Sequence, residues 1–202
     1  MTAHANISRR TFIAGGAAAG TLVLNARTQA QAKGANNRIR IGIIGCGTIA
    51  QEHCDALLKL RDKDNIEVVG ICDLNPDRAE KWHAKWRNGG GAAAETTLRY
   101  QDLLARQDID KILIAVPEHA HAYIALEALE AGKHLYLEKP MTHTIEEGQA
   151  VTRKTRESGL QVQIGVQGMA DDSYAAAQTA IRAGKIGLVV QAQIDYMRRY
   201  GP

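Results

Sequence analysis

The 202-residue sequence predicts an α/β fold in which helices cover both faces of a doubly wound parallel sheet. Three observations lead to this prediction. Short apolar runs alternate with segments of helical periodicity along the chain. A glycine-rich turn follows the first apolar run, and charged residues stand directly after later ones. In a parallel sheet the carboxyl ends of the strands meet at one edge, so these residues are expected to lie near one another.

The first predicted strand, residues 39–44, runs into a turn of the form G-x-G-x-x-A. Gly45 permits a sharp turn, and Gly47 leaves room for a pyrophosphate beside the N–H groups of the next helix. That helix is predicted from Thr48 to about Arg61 by its apolar spacing. Such a turn also ends ordinary strands, so its meaning depends on the motifs further along the chain. The predicted cofactor contacts here are Gly45, Gly47, Thr48 and Ile49.

The remaining elements alternate in the same way. The later predicted strands are residues 66–72, 110–116, 133–137 and 160–166. The later predicted helices are residues 75–86, 100–106, 120–131 and 145–157. Pro76 suits the first turn of the second helix, and Gly132 suits the end of the fourth. Trp82 and Trp86 share one face of the second helix, which favours packing in the core over stacking on a ligand.

Asp73 stands at the predicted carboxyl end of the second strand, 23 residues after Ala50. A carboxylate at this place accepts hydrogen bonds from the ribose hydroxyls of a bound dinucleotide. Its charge disfavours a 2′-phosphate, so the sequence predicts NAD as the cofactor. NADP stays possible because the guanidinium of Arg78 can pair with a phosphate. The alternative is that Asp73 is a simple turn residue.

Glu138, Lys139 and Pro140 follow another predicted buried strand, at the edge where α/β sheets bind ligands. A lysine there can donate a hydrogen bond to a carbonyl or alkoxide oxygen, or act as an acid or base. A surface Glu–Lys pair before a proline is the alternative interpretation.

The order and spacing of these motifs resemble the glucose–fructose oxidoreductase/inositol dehydrogenase (Gfo/Idh/MocA) family. The resemblance covers residues 37–202 and combines five motifs. They are Gly45-x-Gly47-x-x-Ala50, Asp73, Val116-Pro117-x-x-x-His121, Ala131-Gly132-Lys133-His134 and Glu138-Lys139-Pro140. The resemblance implies a Rossmann domain followed by a second, open-sheet α/β domain that supplies the substrate face and much of a homo-oligomer interface.

The resemblance also implies roles for individual residues. Lys139 is expected beside the nicotinamide and the substrate as the catalytic residue. Pro117 and His121 are expected on the nicotinamide-ribose side, with His119 a weaker candidate. Many relatives carry an arginine where Met169 stands, so in that segment only Gln167 is carried over. The expected cofactor contacts beyond the glycine turn are Asp73, Pro117, His121, Glu138, Lys139 and Gln167.

The sequence predicts three segments: a twin-arginine signal peptide over 1–32, a Rossmann domain over 33–184 and a truncated start of the second domain over 185–202. In the last segment only the first strand, 188–196, is expected, and it lacks neighbours to pair with. The D-x-x-x-H element that supplies an acid/base histidine in the family does not occur before residue 202. We therefore expect an N-terminal fragment or a truncated reading frame.

The predicted leader carries Arg9 and Arg10 in a twin-arginine signature, then an apolar run and a small-residue cleavage site at residues 30–32. The apolar run is shorter than the roughly 20 residues that span a bilayer, so no stable membrane insertion is expected. Export by the twin-arginine machinery to the periplasm is predicted. A disordered alanine-rich leader and a retained anchor are the alternatives.

The leader also accounts for the net charge of +3, because it holds three of the 25 basic residues and none of the 22 acidic ones. The rest is balanced, which excludes a basic nucleic-acid-binding face. The three cysteines, Cys46, Cys54 and Cys72, show no metal-ligand spacing, so no metal site is predicted. Small buried thiols are favoured over a disulfide or a catalytic thiol.

Together these features predict a nicotinamide-dependent oxidoreductase that transfers hydride on a sugar, cyclitol or related polyol. Two alternatives remain open at this point. One is an NAD-dependent glycoside hydrolase of the same family, and the other is a non-catalytic NAD-binding protein.

Overall fold

The computed structural model describes residues 38–167 and 171–193. Within them the chain divides into two compact units, with the boundary between Ile164 and Gly165. The strands are β1 Ile39–Ile44, β2 Ile66–Cys72, β3 Glu95–Thr97, β4 Lys111–Ile114, β5 His134–Glu138 and β6 Val162–Gly165. The helices are α1 Thr48–Leu60, α2 Pro76–Asn88, α3 Tyr100–Ala105, α4 His121–Glu130, α5 Ile145–Ser158 and, in the second unit, α6 Asp172–Arg182, with a short 3-10 turn at Glu118–Ala120.

The described strands form one sheet in the order β3-β2-β1-β4-β5-β6. The pairs β1–β2, β1–β4, β2–β3 and β4–β5 are all parallel. The chain winds from β1 in one direction through β2 and β3, then returns to the other side of β1 with β4. This reversal beside β1 creates a topological switch point, where doubly wound sheets bind ligands. The predicted doubly wound Rossmann fold is confirmed.

Two layers of apolar side chains cover the two faces of the sheet. On one face Trp82 and Trp86 of α2 are fully buried with Ile43 and Ile71 of the sheet. Their rings stack at 6.0 Å, and Trp82 Nε1 donates a 2.8 Å hydrogen bond to the Ala50 carbonyl. The other face buries the apolar residues of α3, α4 and β5. The two tryptophans are therefore core residues, as predicted, and one of them fixes α2 against α1.

Three segments differ from the prediction. The sequence prediction assigns no element to residues 95–97, which are polar and carry no apolar pattern, yet they form β3 and pair with residues 70–72 at the sheet edge. Helix α6 is not among the predicted elements, although Asp171 caps it by accepting the Ser173 N–H at 2.8 Å. Residues 188–193 form no strand, in contrast to the predicted strand at 188–196. A single strand without a partner cannot complete its backbone hydrogen bonds.

Some predictions fall outside the described residues. They include the leader at 1–32, Met169 and the end of the predicted last strand. The domain limits predicted at 33–184 and 185–202 stay predictions. Across residues 38–167 and 171–193, the structure contains no helix with both the length and the apolar character needed to cross a membrane.

Cys46, Cys54 and Cys72 are buried free thiols, as predicted. Burial, and then the charge of Asp73, raises the pKa of Cys46 to about 12. Burial also raises the pKa of Cys54 and of Cys72 to about 11 each. All three groups are therefore protonated and poor nucleophiles at neutral pH.

The buried thiols predict a loss of stability in alkaline solution. Between pH 9.0, the ordinary value, and about 11, the unfolded chain releases thiol protons that the folded chain retains. The free energy of unfolding should then fall with rising pH, by up to about 1.4 kcal/mol per pH unit for each thiol. Urea unfolding at several pH values measures this slope. Cys54→Ala should make it shallower, and an unchanged slope in that variant would contradict the assignment.

Candidate dinucleotide-binding site

The turn between β1 and α1 depends on Gly45. Its φ of +90° lies in the region that L side chains rarely adopt, and a Cβ added there would lie 2.5 Å from the Ala115 carbonyl oxygen. The Gly45 N–H donates to the Cys72 carbonyl at 2.8 Å, which ties the turn to the end of β2. The backbone of β1, β2 and β4 therefore meets at this residue without space for a side chain.

The N terminus of α1 is open. Gly47 occupies the N-cap position, no side chain accepts a hydrogen bond from the first N–H groups, and the first turn has no acidic residue. A Cβ built on Gly47 meets no atom within 4 Å. Free N–H groups and the positive end of the helix dipole favour an anion such as a phosphate at this place.

Asp73 lies at the carboxyl end of β2, as predicted, and its carboxylate holds the loops around it. One oxygen accepts the Cys46 N–H at 2.7 Å, and the other accepts the Asn75 N–H at 2.8 Å. The first bond anchors the glycine turn itself. An ionised carboxylate has about four acceptor positions, so two remain for ribose hydroxyls. Asp73 is thus more than a simple turn residue.

A cleft of about 740 Å³ opens at this edge of the sheet. Six of the predicted site residues line it: Gly45, Gly47, Thr48, Ile49, Asp73 and Pro117. Its size is in the range of ordinary small-molecule sites. The fold therefore brings the glycine turn, the acidic residue of β2 and the proline after β4 to one place.

Sequence reasoning missed the apolar wall of this cleft. Leu74, Leu98 and Tyr123 are 89%, 52% and 49% exposed and line it together with Tyr100. The Tyr100 hydroxyl donates to Glu127 at 2.9 Å, and burial followed by this bond raises its pKa to about 12. The sequence offered one signal for this wall: Leu74 directly follows Asp73, the acidic residue after β2. Arg78 and His119 also line the cleft.

His121, which the family resemblance predicts on the nicotinamide-ribose side, is not among the residues that line the cleft, and its role in cofactor binding stays a prediction. Its side chain is 1% exposed. Its Nδ1 lies 2.6 Å from the Pro140 carbonyl oxygen and its Nε2 lies 2.9 Å from that of Val116. Because both ring nitrogens face backbone oxygens, the imidazole links the end of β4 to the turn after β5. Val116 itself lines the cleft, so His121 contacts the backbone of a lining residue.

Glu138 and Lys139 form a second group at the end of β5, outside the residues that line the cleft. The Glu138 carboxylate is buried, and His53 of α1 contacts it at 2.8 Å. Its other oxygen accepts the Lys139 N–H at 3.1 Å. Lys139 is exposed, and its side-chain nitrogen has no hydrogen-bond or ion-pair partner in the part of the chain that the structure describes. His53 is a site residue that sequence reasoning missed, because no motif marks it.

Gln167 lies in the second compact unit, in an exposed turn after β6. Its role in cofactor binding stays a prediction. Over residues 38–167 and 171–193, no three histidine, cysteine or acidic side chains group closely enough to hold a metal ion.

An uncapped helix behind a glycine turn, with an acidic residue at the end of the neighbouring strand, defines a dinucleotide-binding Rossmann domain. The family model described as the Gfo/Idh/MocA oxidoreductase family, NAD-binding Rossmann fold, matches residues 39–166. The chain belongs to this family, as its motifs predict.

Individual relatives agree with this assignment. The chain is 31% identical over 150 residues to an inositol 2-dehydrogenase of Salmonella typhimurium, covering 74% of this chain and 43% of the relative. It is 34% identical over 166 residues to a glycosyl hydrolase family 109 protein of Shewanella baltica, covering 70% and 35% respectively. The chain thus spans less than half the length of these curated relatives.

A crystal structure of scyllo-inositol dehydrogenase from Lactobacillus casei, with bound NAD(H) and scyllo-inositol, is similar with a TM-score of 0.66. The sequence identity is 27%, and the match covers 74% of this chain and 42% of that chain.

Substituting the two glycines of the turn should destabilise the fold to very different extents. Gly45→Ala should lower the free energy of unfolding by more than about 2 kcal/mol, because it combines backbone strain with a clash against a carbonyl. Gly47→Ala should lower it by no more than about 1 kcal/mol, since the position is open and its φ of −70° suits alanine, although alanine is a poorer N-cap residue than glycine. Urea unfolding of both variants measures the difference. Equal effects would contradict the geometry of the turn.

Proposed function

We propose that this chain is the cofactor-binding part of a nicotinamide-dependent oxidoreductase that acts on a carbohydrate-like substrate. The observation that carries the proposal is the cleft at the switch point, where an open helix N terminus lies beside the Asp73 carboxylate. When bound there, NAD supplies the acceptor for a hydride from an alcohol carbon of a sugar, cyclitol or polyol.

Each part of the cleft suits one part of the cofactor. The apolar wall around Leu98 and Tyr123 suits the adenine ring, and Asp73 suits the adenosine ribose. The first turn of α1, with Gly47, Thr48 and Ile49, would bind the pyrophosphate. The nicotinamide end would then extend past Pro117 toward the turn after β5. This order follows the sheet from β2 across β1 and β4 to β5.

Lys139 would handle the proton of the reaction. Its ammonium group is exposed at the carboxyl edge of the sheet, and its backbone is held by Glu138. A lysine in this place would hydrogen-bond the substrate oxygen: as the free amine it would accept the hydroxyl proton while hydride leaves the carbon, and as the ammonium it would return that proton to the carbonyl oxygen in the reverse reaction. Hydride transfer also requires the carbon to be held about 3–3.5 Å from its acceptor, which a fixed turn favours.

The relatives support the substrate class. One is named as an inositol dehydrogenase, and a similar solved structure holds scyllo-inositol with NAD(H). A second candidate is an NAD-dependent glycoside hydrolase, favoured by the 34% identity to a glycosyl hydrolase family 109 protein. Release of the leaving group from an aryl glycoside would distinguish it. A non-catalytic NAD-binding protein is the remaining alternative, and it would bind NAD without oxidising any polyol.

We also propose export by the twin-arginine machinery, supported by Arg9 and Arg10 before an apolar run. That machinery would carry the folded protein with its cofactor to the periplasm. Free NAD is not replenished there, so a tightly held cofactor would be reduced and reoxidised within one cycle. Stoichiometric release of NADH during turnover would contradict this. A homo-oligomer of the full-length form is part of the same proposal, on the family resemblance.

Cofactor binding is testable by calorimetry on the 202-residue chain. NAD should bind, and Gly47→Ala should weaken binding at least about tenfold, because its methyl group occupies the approach of the pyrophosphate to the backbone. Unfolding of the variant by urea serves as the control, since its free energy of unfolding should stay within about 1 kcal/mol of that of the unmodified chain. Absence of NAD binding, or equal affinity of the variant, would overturn the proposal.

The charge of Asp73 should set the preference between NAD and NADP. Asp73→Asn is expected to reduce the ratio of NAD to NADP affinity about tenfold, because the neutral amide no longer repels the 2′-phosphate. Arg78 in the same cleft would then pair with that phosphate.

Asp77→Asn is the matched control for this ratio. It removes a carboxylate charge from the first turn of α2, outside the residues that line the cleft. Its affinity ratio should stay near that of the unmodified chain. An unchanged ratio in Asp73→Asn, or an equal change in both variants, would contradict the role of Asp73.

A further inference from the structure

We infer that His53 is a positioning residue, which holds Lys139 in place through the carboxylate of Glu138. The inference rests on the proposed function, because it assigns Lys139 to the nicotinamide end of the cleft. The affinity of the chain for a reduced nicotinamide dinucleotide is the quantity that tests this role of His53.

Few hydrogen-bond donors can reach the Glu138 carboxylate. Its side chain is 5% exposed, so water reaches it poorly. One oxygen accepts the backbone N–H of Lys139 at 3.1 Å. The other lies 2.8 Å from His53 Nε2. A buried carboxylate needs such donors because an unpaired buried charge is costly. Removing the histidine would therefore release the carboxylate toward solvent, and the Lys139 backbone with it.

The His53 ring is itself fixed. Its side chain is 18% exposed, and its edge packs against Tyr136 at a centroid distance of 5.1 Å and an interplanar angle of 75°. Tyr136 lies two residues before Glu138 on β5. Both contacts of the His53 ring, with Tyr136 and with Glu138, are therefore with β5. They leave the ring little freedom to turn its Nε2 away from the carboxylate.

The contact connects two parts of the proposed site. His53 lies on α1, whose first turn opens onto the cleft, while Lys139 follows β5, two strands from β1. The His53–Glu138 pair therefore fixes the spacing between the phosphate-binding turn and Lys139. His121 makes a second link to the same turn, from Val116 to Pro140. Among the described residues, removing His53 leaves the His121 contact as the remaining link of this kind beside the strand pairing, so we expect the adenosine end of the cleft to be unchanged while the Lys139 end loosens.

The test compares two probes, NADH and ADP-ribose, of which the second lacks the nicotinamide. Their affinities are measured on the 202-residue chain by calorimetry or fluorescence. His53→Phe keeps the ring against Tyr136 and removes the N–H donor. It should weaken NADH about tenfold and leave ADP-ribose within about twofold. His53→Gln places an amide N–H near the same position and should restore most of the NADH affinity. That pattern is one a general loss of stability would not produce.

His83→Gln is the matched control. His83 is a half-buried histidine of α2, and its ring accepts the Ala94 N–H at 3.3 Å. It should leave both affinities unchanged. If His53→Phe does not fold, His53→Ala provides the same comparison. The inference would be overturned by an equal loss for both probes, by no loss for either, or by no rescue with His53→Gln. In each of these cases, NADH binding by the unmodified chain would still uphold the proposed function. An unmodified chain that binds neither probe would overturn both.

Discussion

The turn from β1 into α1 is the constraint on which the rest of the site depends. Gly45 turns the chain with a positive φ in a space too small for a Cβ, and Asp73 holds the following residue by accepting its N–H. This arrangement directs the N terminus of α1 at the edge where β2 and β4 end. The cleft results from it, because the open helix terminus and the acidic residue can then face one ligand.

Most of the fold could be predicted because the buried strands carry long apolar runs and the helices carry caps and periodicity. β2 matches its prediction at both ends, Ile66 and Cys72. β3 could not be predicted, since its three residues are polar and owe their conformation to pairing with β2. Residues 188–193 show the converse. Their apolar pattern suits a strand, but a strand forms only where a neighbour completes its hydrogen bonds.

The site was predictable where a motif determines backbone geometry and unpredictable where side chains meet across the fold. Gly45, Gly47 and Asp73 are encoded by spacing along the chain. The contact between His53 and Glu138 joins residues 85 positions apart, so no local pattern marks it. His121 belongs to a family motif, but its burial depends on two carbonyl groups that only the folded chain brings to it.

Asp73 and Gly47 combine structure and proposed function in different ways. Asp73 uses one acceptor site on each oxygen to hold the backbone and leaves the others for a ligand, so building and recognition share one carboxylate. Any substitution there changes both. Gly47 makes no contact that a methyl group would disturb, so steric packing within the described fold does not require a glycine there. The open space beside this uncapped helix N terminus is the feature of the fold that best supports the proposed phosphate site.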